Sequence, residues 1–326
     1  MMVLALHSHL AVQQTVTQIP FLSDFGWLGV RLFFVISGFI IAERISHESS
    51  FSRYAVKRFL RVFPLYLLVT LAAIALRAGV GVGDFTSAET DSGAAFDANA
   101  PFYLIKSLLI IPQDNWPILM VGWSLEYELV FYLLFGAAWF IGGRMAALIV
   151  MALVSAAGLI APDLTRPILD ELFAYFLFGC LAREALARLP GGALRVAPLV
   201  FIVCSALSAL ALYQLILTPW VVFVLISGAG FAALLIWWVD AERRGTAFQR
   251  ANWVTRLGDM SFTIYLVHWL VVAVIRDLTG AAGLSVAAAE GLRVAIVPLS
   301  LTASWVVWRW VETPLNRWTG RVTRVR

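Results

Sequence analysis

Residues 123–161 read WSLEYELVFYLLFGAAWFIGGRMAALIVMALVSAAGLIA. Two long apolar runs meet in this stretch, with a single arginine, Arg144, between them. A helix rises about 1.5 Å per residue, so an apolar run of about 20 residues crosses the ~30 Å hydrocarbon core of a bilayer. The pattern therefore predicts two membrane-spanning helices, at 117–141 and 145–161.

The rest of the chain has the same character. Of its 326 residues, 61% are hydrophobic and 13% are charged, whereas ordinary globular chains have about 45–50% and about 25%. This composition excludes a disordered chain, a collagen-like chain and a soluble nucleic-acid-binding protein, so no nucleic-acid partner is expected. We predict an all-α, polytopic transmembrane helix bundle that forms a single domain over residues 1–326, with 311–326 as a tail. The ten predicted spans are 1–12, 27–43, 58–79, 117–141, 145–161, 168–187, 196–217, 219–239, 260–277 and 291–310.

The basic residues predict how these spans are oriented. Eighteen of the 24 Lys and Arg residues fall in alternate loops on one side of the bundle, and four fall in the loops on the other. Because cytoplasmic loops carry the excess of basic residues, the first side is predicted to be cytoplasmic. Both termini then face the cytoplasm.

The first predicted span, 1–12, is too short for a complete crossing. As a helix it extends about 18 Å, against a core of ~30 Å. We therefore expect the native first span to be longer at its N-terminal side.

The cysteines and histidines do not predict a metal site. Cys180 and Cys204 lie in apolar runs without CxxC spacing, which favours core packing over a disulfide or a metal ligand role. The four histidines show no HxxxH spacing. No permanently bound cofactor is expected either.

Ionisable groups at membrane depth are costly, and they mark candidate functional sites. Ser124, Glu128 and Tyr132 follow an i, i+4 spacing and should share one face of their helix. A carboxylate at that depth must be protonated or paired. Two interpretations stay open: Glu128 belongs to a functional site, or it makes a packing hydrogen bond to Tyr132 or to a neighbouring helix.

Two histidines also fall inside predicted spans. His7 lies near the outer end of the first span, and His268 lies about 13 Å into its own span, near the midplane. Ser261, Tyr265 and His268 approximate one helix face. Each histidine is either functional or engaged in a structural hydrogen bond between helices.

The segment RFLRVFP, from Arg58 to Pro64, places two arginines on one helix face at the predicted cytoplasmic mouth. Such arginines commonly anchor a span at the interface. The planar guanidinium groups of Arg58 and Arg61 can also bind phosphates in a bidentate manner. The first turn of the predicted helix 58–79 would add free backbone N–H donors.

Together these motifs resemble the acyltransferase-3 family of membrane-bound sugar O-acyltransferases. They span almost the whole chain in the order and spacing of that family. One departure is that the family has an Arg or Lys upstream of its first-span histidine, a position that would precede Met1. The matching pieces are His7 in VLALHS, GVRLFFVISGF (Gly29 to Phe39), RFLRVFP, WSLEYELVFYLL, SFTIYLVHW (Ser261 to Trp269) and ETP (Glu312 to Pro314).

The resemblance implies transfer of an acyl group, typically acetyl, from cytoplasmic acyl-CoA to a hydroxyl of a cell-surface or secreted glycan or glycolipid. It places the protein in the inner membrane of a bacterium, with acyl-CoA as co-substrate. His7 matches the catalytic histidine of the family, Arg58 and Arg61 match the RxxR pair assigned to acyl-CoA, and Glu128 matches the glutamate of WSLxxE. His7 would then act as a general base, with an acyl-histidine intermediate as the alternative.

Further residues are candidates for the lining of the active site. Ser37 with the Gly38 backbone, Tyr265 or His268 could stabilise a tetrahedral oxyanion. Gly38 could also permit a break in the second span where it lines a cavity. The complete set of lining candidates is Ser37, Gly38, Trp123, Ser124, Tyr132, Tyr265 and His268. The sequence does not predict an oligomeric state.

Two other classes of protein fit the same composition. A proton-coupled transporter or flippase of a polar substrate would use intramembrane His and Glu, although the sequence has no inverted-repeat pattern. A catalytically silent scaffold would keep the fold without turnover. Consumption of acyl-CoA that depends on His7, Arg58 and Arg61 distinguishes an acyltransferase from both.

Overall fold

The computed structural model describes residues 26–80, 101–161, 169–213, 219–245, 252–280 and 285–324. All regular secondary structure within these ranges is helical, which confirms the predicted all-α class. The predicted first span, 1–12, lies outside the described residues, and so does His7.

Short helical turns at Ile45–His47 and Met120–Gly122 precede longer helices, and a π-helical segment, Trp308–Glu312, joins the last two. The helices, in chain order, are α1 (Leu28–Arg44), α2 (Phe51–Val80), α3 (Pro101–Leu109), α4 (Trp123–Ile160), α5 (Phe173–Arg188), α6 (Gly191–Leu194), α7 (Ala197–Leu212), α8 (Trp220–Arg243), α9 (Asn252–Asp259), α10 (Ser261–Gly280), α11 (Val286–Val307) and α12 (Thr313–Arg324).

Within the described residues, five helices are long and apolar enough to cross a membrane, which makes the chain a multi-pass membrane protein. The number is six if α9 and α10, bent by 71° at their junction, form one span. Helices α1 and α5 have 17 and 16 residues, slightly below the length of a full crossing. The count of about ten spans and the placement of the termini stay predictions.

Helix α4 contains both spans predicted from residues 117–161. Its 38 residues form two helical segments joined at a kink, with a combined length of roughly 57 Å, about twice the thickness of the hydrocarbon core. Gly143 interrupts it with φ 72° and ψ −165°, a conformation that glycine adopts without steric cost. The break falls beside Arg144, where the sequence predicted the end of one span and the start of the next.

Helix α2 begins earlier than predicted. It starts at Phe51 and not at residue 58, so Arg58 and Arg61 lie two to three turns inside it. The expectation that they stand beside free N–H groups of a first turn is therefore wrong, because backbone N–H groups at that depth bond within the helix. Ser52, Arg53 and Lys57 had placed this stretch in a loop between spans, but a helix that emerges from the hydrocarbon tolerates such residues.

The described helices form two compact units. Of the described residues, 26–29, 56–80, 101–126, 253–280 and 285–324 form the first unit, and 30–55, 127–161, 169–213, 219–245 and 252 form the second. In the first unit α10 packs along α11; in the second, α8 packs against both α7 and α5. The single domain predicted over residues 1–326 stays a prediction.

A stack of buried aromatic rings holds the second unit together around α5. The ring of Phe176 lies 4.5 Å from that of Phe34 in α1 and 4.2 Å from that of Phe131 in α4, measured between centroids. All three side chains are fully buried. Stacked rings at this spacing contribute beyond the burial of their area, so they fix α1 and α4 against α5.

Two glycines bring α1 and α5 into close contact. A Cβ added at Gly38 would overlap the carbonyl oxygen of Phe176, and one added at Gly179 would overlap that of Val35. Helix α1 is continuous through Gly38, so the expectation of a break there is wrong. Gly38 instead allows two helix backbones to approach each other, as small residues do in membrane helix pairs.

Replacing Gly38 with alanine is expected to lower the melting temperature of the detergent-solubilised protein. The new methyl group meets backbone that cannot move aside, and overpacking of this kind costs roughly 1–3 kcal/mol. Gly291→Ala is the matched control, because it lies in the interior of α11 with nothing within 4 Å of the added Cβ. A melting temperature for Gly38→Ala as high as that of Gly291→Ala would contradict this account.

Candidate functional site

Glu128 is buried in the second unit and accepts hydrogen bonds from two hydroxyl groups. Ser37 Oγ donates to Glu128 Oε1 over 2.9 Å, and Tyr132 Oη donates to the same oxygen. The aromatic stack positions Ser37 and Glu128. Ser37 follows Phe34 by one turn of α1, and Glu128 precedes Phe131 by one turn of α4. The packing hydrogen bonds foreseen from the sequence, to Tyr132 and to a neighbouring helix, are both present.

Ser124 has the predicted i, i+4 spacing to Glu128 but belongs to a different set of contacts. Its hydroxyl lies 2.7 Å from Tyr265 Oη, and Tyr265 Oη donates to the backbone carbonyl of Val121 over 2.8 Å. This network ties the start of α4 to α10 within the first unit. Trp123 begins α4 and packs edge-on against Trp116, with the ring centroids 6.1 Å apart.

Arg61 forms an ion pair with Glu312 in the first unit. Arg61 Nη1 lies 3.0 Å from Glu312 Oε1, and the guanidinium carbon lies 5.7 Å from the ring centre of Phe262. The Arg61 side chain is 44% exposed, whereas that of Glu312 is 2% exposed. The pair therefore has a buried acceptor and a partly exposed donor.

The Glu312 carboxylate accepts hydrogen bonds from side chains of three helices. Besides Arg61 of α2, it accepts a hydrogen bond from Thr263 Oγ1 of α10, and Asn316 Nδ2 of α12 donates to it over 3.3 Å. Three of the motifs that were separate in sequence, RFLRVFP, SFTIYLVHW and ETP, thus meet at one carboxylate. The Arg61 guanidinium is oriented by this contact.

Arg58 and His268 both belong to the first unit. Arg58 is half-buried and lies one turn before Arg61 in α2. His268 is buried, and its Nδ1 lies 2.8 Å from the backbone carbonyl oxygen of Ile264, one turn earlier in α10. The Tyr265 ring is 6.0 Å from the His268 ring.

Arg31, in the segment GVRLFFVISGF, is a charged residue within the predicted span 27–43. Arg31 Nη2 is 3.9 Å from Glu171 Oε1, and its guanidinium carbon is 5.6 Å from the ring centres of Tyr175 and Trp220. An arginine between two aromatic faces and a carboxylate is compensated within the second unit.

Sequence reasoning missed the part that Glu312 plays. The ETP motif served to support the family resemblance, but no role followed from a single glutamate close to a chain end. A signal was available, because an acidic residue directly after an apolar span needs a partner. The contact with Asn316, four residues on, follows helical spacing. Thr263 carries no charge and lies 49 residues away on another helix, so spacing along one helix cannot predict it.

The arrangement offers two polar centres with different chemistry. In the first unit, the Arg61 guanidinium has five N–H donors in a planar fork, suited to phosphate or carboxylate oxygens. In the second unit, Glu128 is a positioned carboxylate. No group of three or more His, Cys, Asp or Glu suited to a metal ion occurs among the residues that the structure describes.

Comparison with known proteins defines the class. An acyltransferase domain model matches residues 1–309, so this chain belongs to the acyltransferase-3 family and is a membrane acyltransferase. The chain is similar to acyltransferase MdmB of Streptomyces mycarofaciens, at 27% identity over 95% of this chain and 86% of that protein. It is also similar to exopolysaccharide production protein ExoZ of Rhizobium meliloti (strain 1021), at 29% identity over 92% of each chain. No solved structure matches it.

Replacing Glu312 with alanine is expected to destabilise the protein. The change removes the acceptor of Arg61, Thr263 and Asn316, and a hydrogen bond to a charged group contributes roughly 1.5–3 kcal/mol. The exposure of Arg61 reduces its share. Glu312→Gln keeps an acceptor oxygen and should lose less.

Thermal unfolding in detergent measures the order wild type, Glu312→Gln, Glu312→Ala. Asn316→Ala is the control, because it removes the longest of the three bonds and leaves the carboxylate in place. Equal melting temperatures for wild type and Glu312→Ala would show that this carboxylate does not hold the three helices.

Proposed function

We propose that the protein transfers an acetyl group from cytoplasmic acyl-CoA to a sugar hydroxyl of a cell-surface or secreted glycan or glycolipid, in the inner membrane of a bacterium. His7 acts as the general base. One observation supports the proposed binding of the acyl donor, acyl-CoA. The Arg61 guanidinium is held at one edge by a buried carboxylate, while 44% of the side chain stays exposed. Membership of the acyltransferase-3 family supports the reaction class.

Acyl-CoA is polyanionic, and its phosphates require cationic donors. Arg58 and Arg61 lie one turn apart on α2, so their guanidinium groups can approach neighbouring phosphate oxygens. Glu312 occupies Nη1 of Arg61, and the fork has four further N–H donors. A guanidinium fixed on one side loses less rotational freedom when it binds a phosphate on the other.

The reaction needs one proton removed and one returned. His7 takes the proton from the acceptor hydroxyl, whose oxygen then attacks the thioester carbonyl carbon. The tetrahedral intermediate collapses, the carbon–sulfur bond breaks, and the CoA sulfur receives a proton. In the alternative route, His7 first accepts the acyl group and then passes it to the hydroxyl. Tyr265 is the proposed donor to the oxyanion, and its hydroxyl hydrogen would turn away from the Val121 carbonyl oxygen to reach it.

The acceptor is proposed from the related proteins and from the polar centres. The name of the Rhizobium relative connects that protein with exopolysaccharide production, and a glycan hydroxyl fits transfer by general-base catalysis. Glu128 is proposed to orient His7 or to balance its charge during proton transfer. The two hydroxyl groups that donate to Glu128 would keep its carboxylate in place for that task.

Release of free thiol from acetyl-CoA tests the proposed reaction with the acyl donor. The full chain in detergent should consume acetyl-CoA slowly, and His7→Ala should lower kcat at least about a hundredfold, the usual contribution of a general base. Arg61→Ala should instead raise KM for acetyl-CoA about tenfold, because one charge-assisted contact to phosphate is lost. Arg53→Ala is the matched control, since Arg53 lies on the same helix and contacts Ser49.

The three variants separate the possible outcomes. Thiol release that is unchanged in His7→Ala would refute His7 as the base. A KM for Arg61→Ala equal to that of Arg53→Ala would refute the donor site. Transport of a polar substrate without CoA turnover would assign the protein to the transporter class.

Glu128→Gln separates the chemical role of the carboxylate from its structural role. The amide oxygen can still accept from Ser37 and Tyr132, so the melting temperature should stay close to that of the wild type. The negative charge is lost, so kcat should fall roughly ten- to a hundredfold if Glu128 supports His7. A stable Glu128→Gln protein with wild-type kcat would restrict Glu128 to a packing role.

A further inference from the structure

An apolar groove runs along α2, α10 and α11 in the first unit. Its volume is about 610 Å³, and all fourteen side chains that line it are apolar. This size is typical of a ligand site, but none of the lining side chains would orient a polar ligand. The groove extends from Leu65 and Val311 at one end to Leu76, Ile275 and Leu299 at the other, with Ala72 and Ala303 on its walls.

The dimensions of the groove match a single hydrocarbon chain. From Leu65 to Leu76 the helix rises roughly 16 Å, which is about the thickness of one leaflet of a ~30 Å hydrocarbon core. A hydrocarbon chain needs no polar partner, which suits a groove whose lining side chains are all apolar.

The two ends of the groove differ in charge. Arg61 lies one turn before Leu65 on α2. Arg309 lies at the same end of the groove but on another face of its helix than the lining residues Val307 and Val311, with its guanidinium carbon 5.7 Å from the ring centre of Trp310. Helix α12 continues from this end with arginines and no carboxylate.

At the other end the charges largely cancel. Arg276 pairs with Asp277 over 3.3 Å, and Arg293 pairs with Glu290 over 2.7 Å. Arg77 adds one positive charge there. At the Arg61 end the ion pair with Glu312 cancels as well, but Arg309 and the arginines of α12 leave the larger positive excess there.

We propose that this groove binds one acyl chain of an anionic phospholipid, drawn from the leaflet in which Arg61 and Arg309 lie. The chain lies against α2, α10 and α11, and the phosphate group lies among Arg309 and the arginines of α12, which leaves Arg61 to acyl-CoA. Contact with three helices distinguishes this lipid from those that touch one convex helix surface. The proposal rests on the groove and its charged rim, and not on the assignment of acyl-CoA to Arg58 and Arg61.

Native mass spectrometry of the full chain tests this site without any enzymatic readout. The detergent-solubilised protein is titrated with phosphatidylglycerol or phosphatidylcholine, and lipid that stays bound is counted. The wild type should retain one phosphatidylglycerol in preference to phosphatidylcholine. Ala72→Trp places a bulky ring in the groove and should reduce retention at least tenfold. Ala75→Trp, one turn further along α2, is exposed and outside the groove, and it should retain lipid as the wild type does.

Two further variants make the result decisive. Arg309→Gln should reduce the preference for phosphatidylglycerol about fivefold, since one arginine near a membrane surface contributes about 1 kcal/mol to binding of anionic lipid. Ala303→Phe fills the groove from α11 and replaces Ala72→Trp if that variant does not fold. Equal retention by Ala72→Trp and Ala75→Trp, or equal retention of the two lipids by the wild type, would overturn the proposal. A change from dimer to monomer in Ala72→Trp would assign the groove to a second copy of the chain.

Discussion

A carboxylate removed from water must find its hydrogen-bond donors inside the protein, and the described fold depends on how this chain meets that requirement. Glu312 is nearly inaccessible to solvent, yet it accepts from Arg61, Thr263 and Asn316. Each donor comes from a different helix, so the cost of an unsatisfied buried charge couples the positions of α2, α10 and α12. Glu128 meets the same requirement with two hydroxyl groups in the second unit.

Such contacts need helices close enough for short side chains to reach. Serine and threonine hydroxyls extend only a few ångströms from the backbone, and the hydrophobic effect does not drive helices together inside a lipid phase. In the second unit, Gly38 and Gly179 remove the side chains that would separate α1 from α5. The stacked ring of Phe176 then sets the height at which Ser37 meets Glu128. The small residues thus allow the helices to approach each other, and the large flat rings fix the positions at which the polar groups meet.

Hydropathy predicted the helical class and the positions of most described helices, because the ~30 Å core imposes a length that sequence reveals directly. It misplaced the start of α2, since Ser52, Arg53 and Lys57 fit a loop as well as they fit a helix that emerges from the hydrocarbon. The Glu128–Tyr132 contact was predictable, because its partners lie on one helix. The meeting of Arg61, Thr263 and Glu312 was not, because three-dimensional proximity of distant helices leaves no periodic signal. Gly38 was misread for the same reason: its neighbour is the backbone of another helix.

The pairing of Arg61 with a buried acid has a consequence for turnover under the proposed chemistry. Acetyl-CoA and free CoA carry the same phosphates, so any contact to those phosphates binds substrate and product equally. Uniform binding of this kind lowers KM without raising kcat, and a very tight contact would slow product release. Glu312 offsets part of the Arg61 charge and fixes the direction of its fork. The pair therefore favours orientation over affinity, which suits a donor site that must release CoA after every transfer.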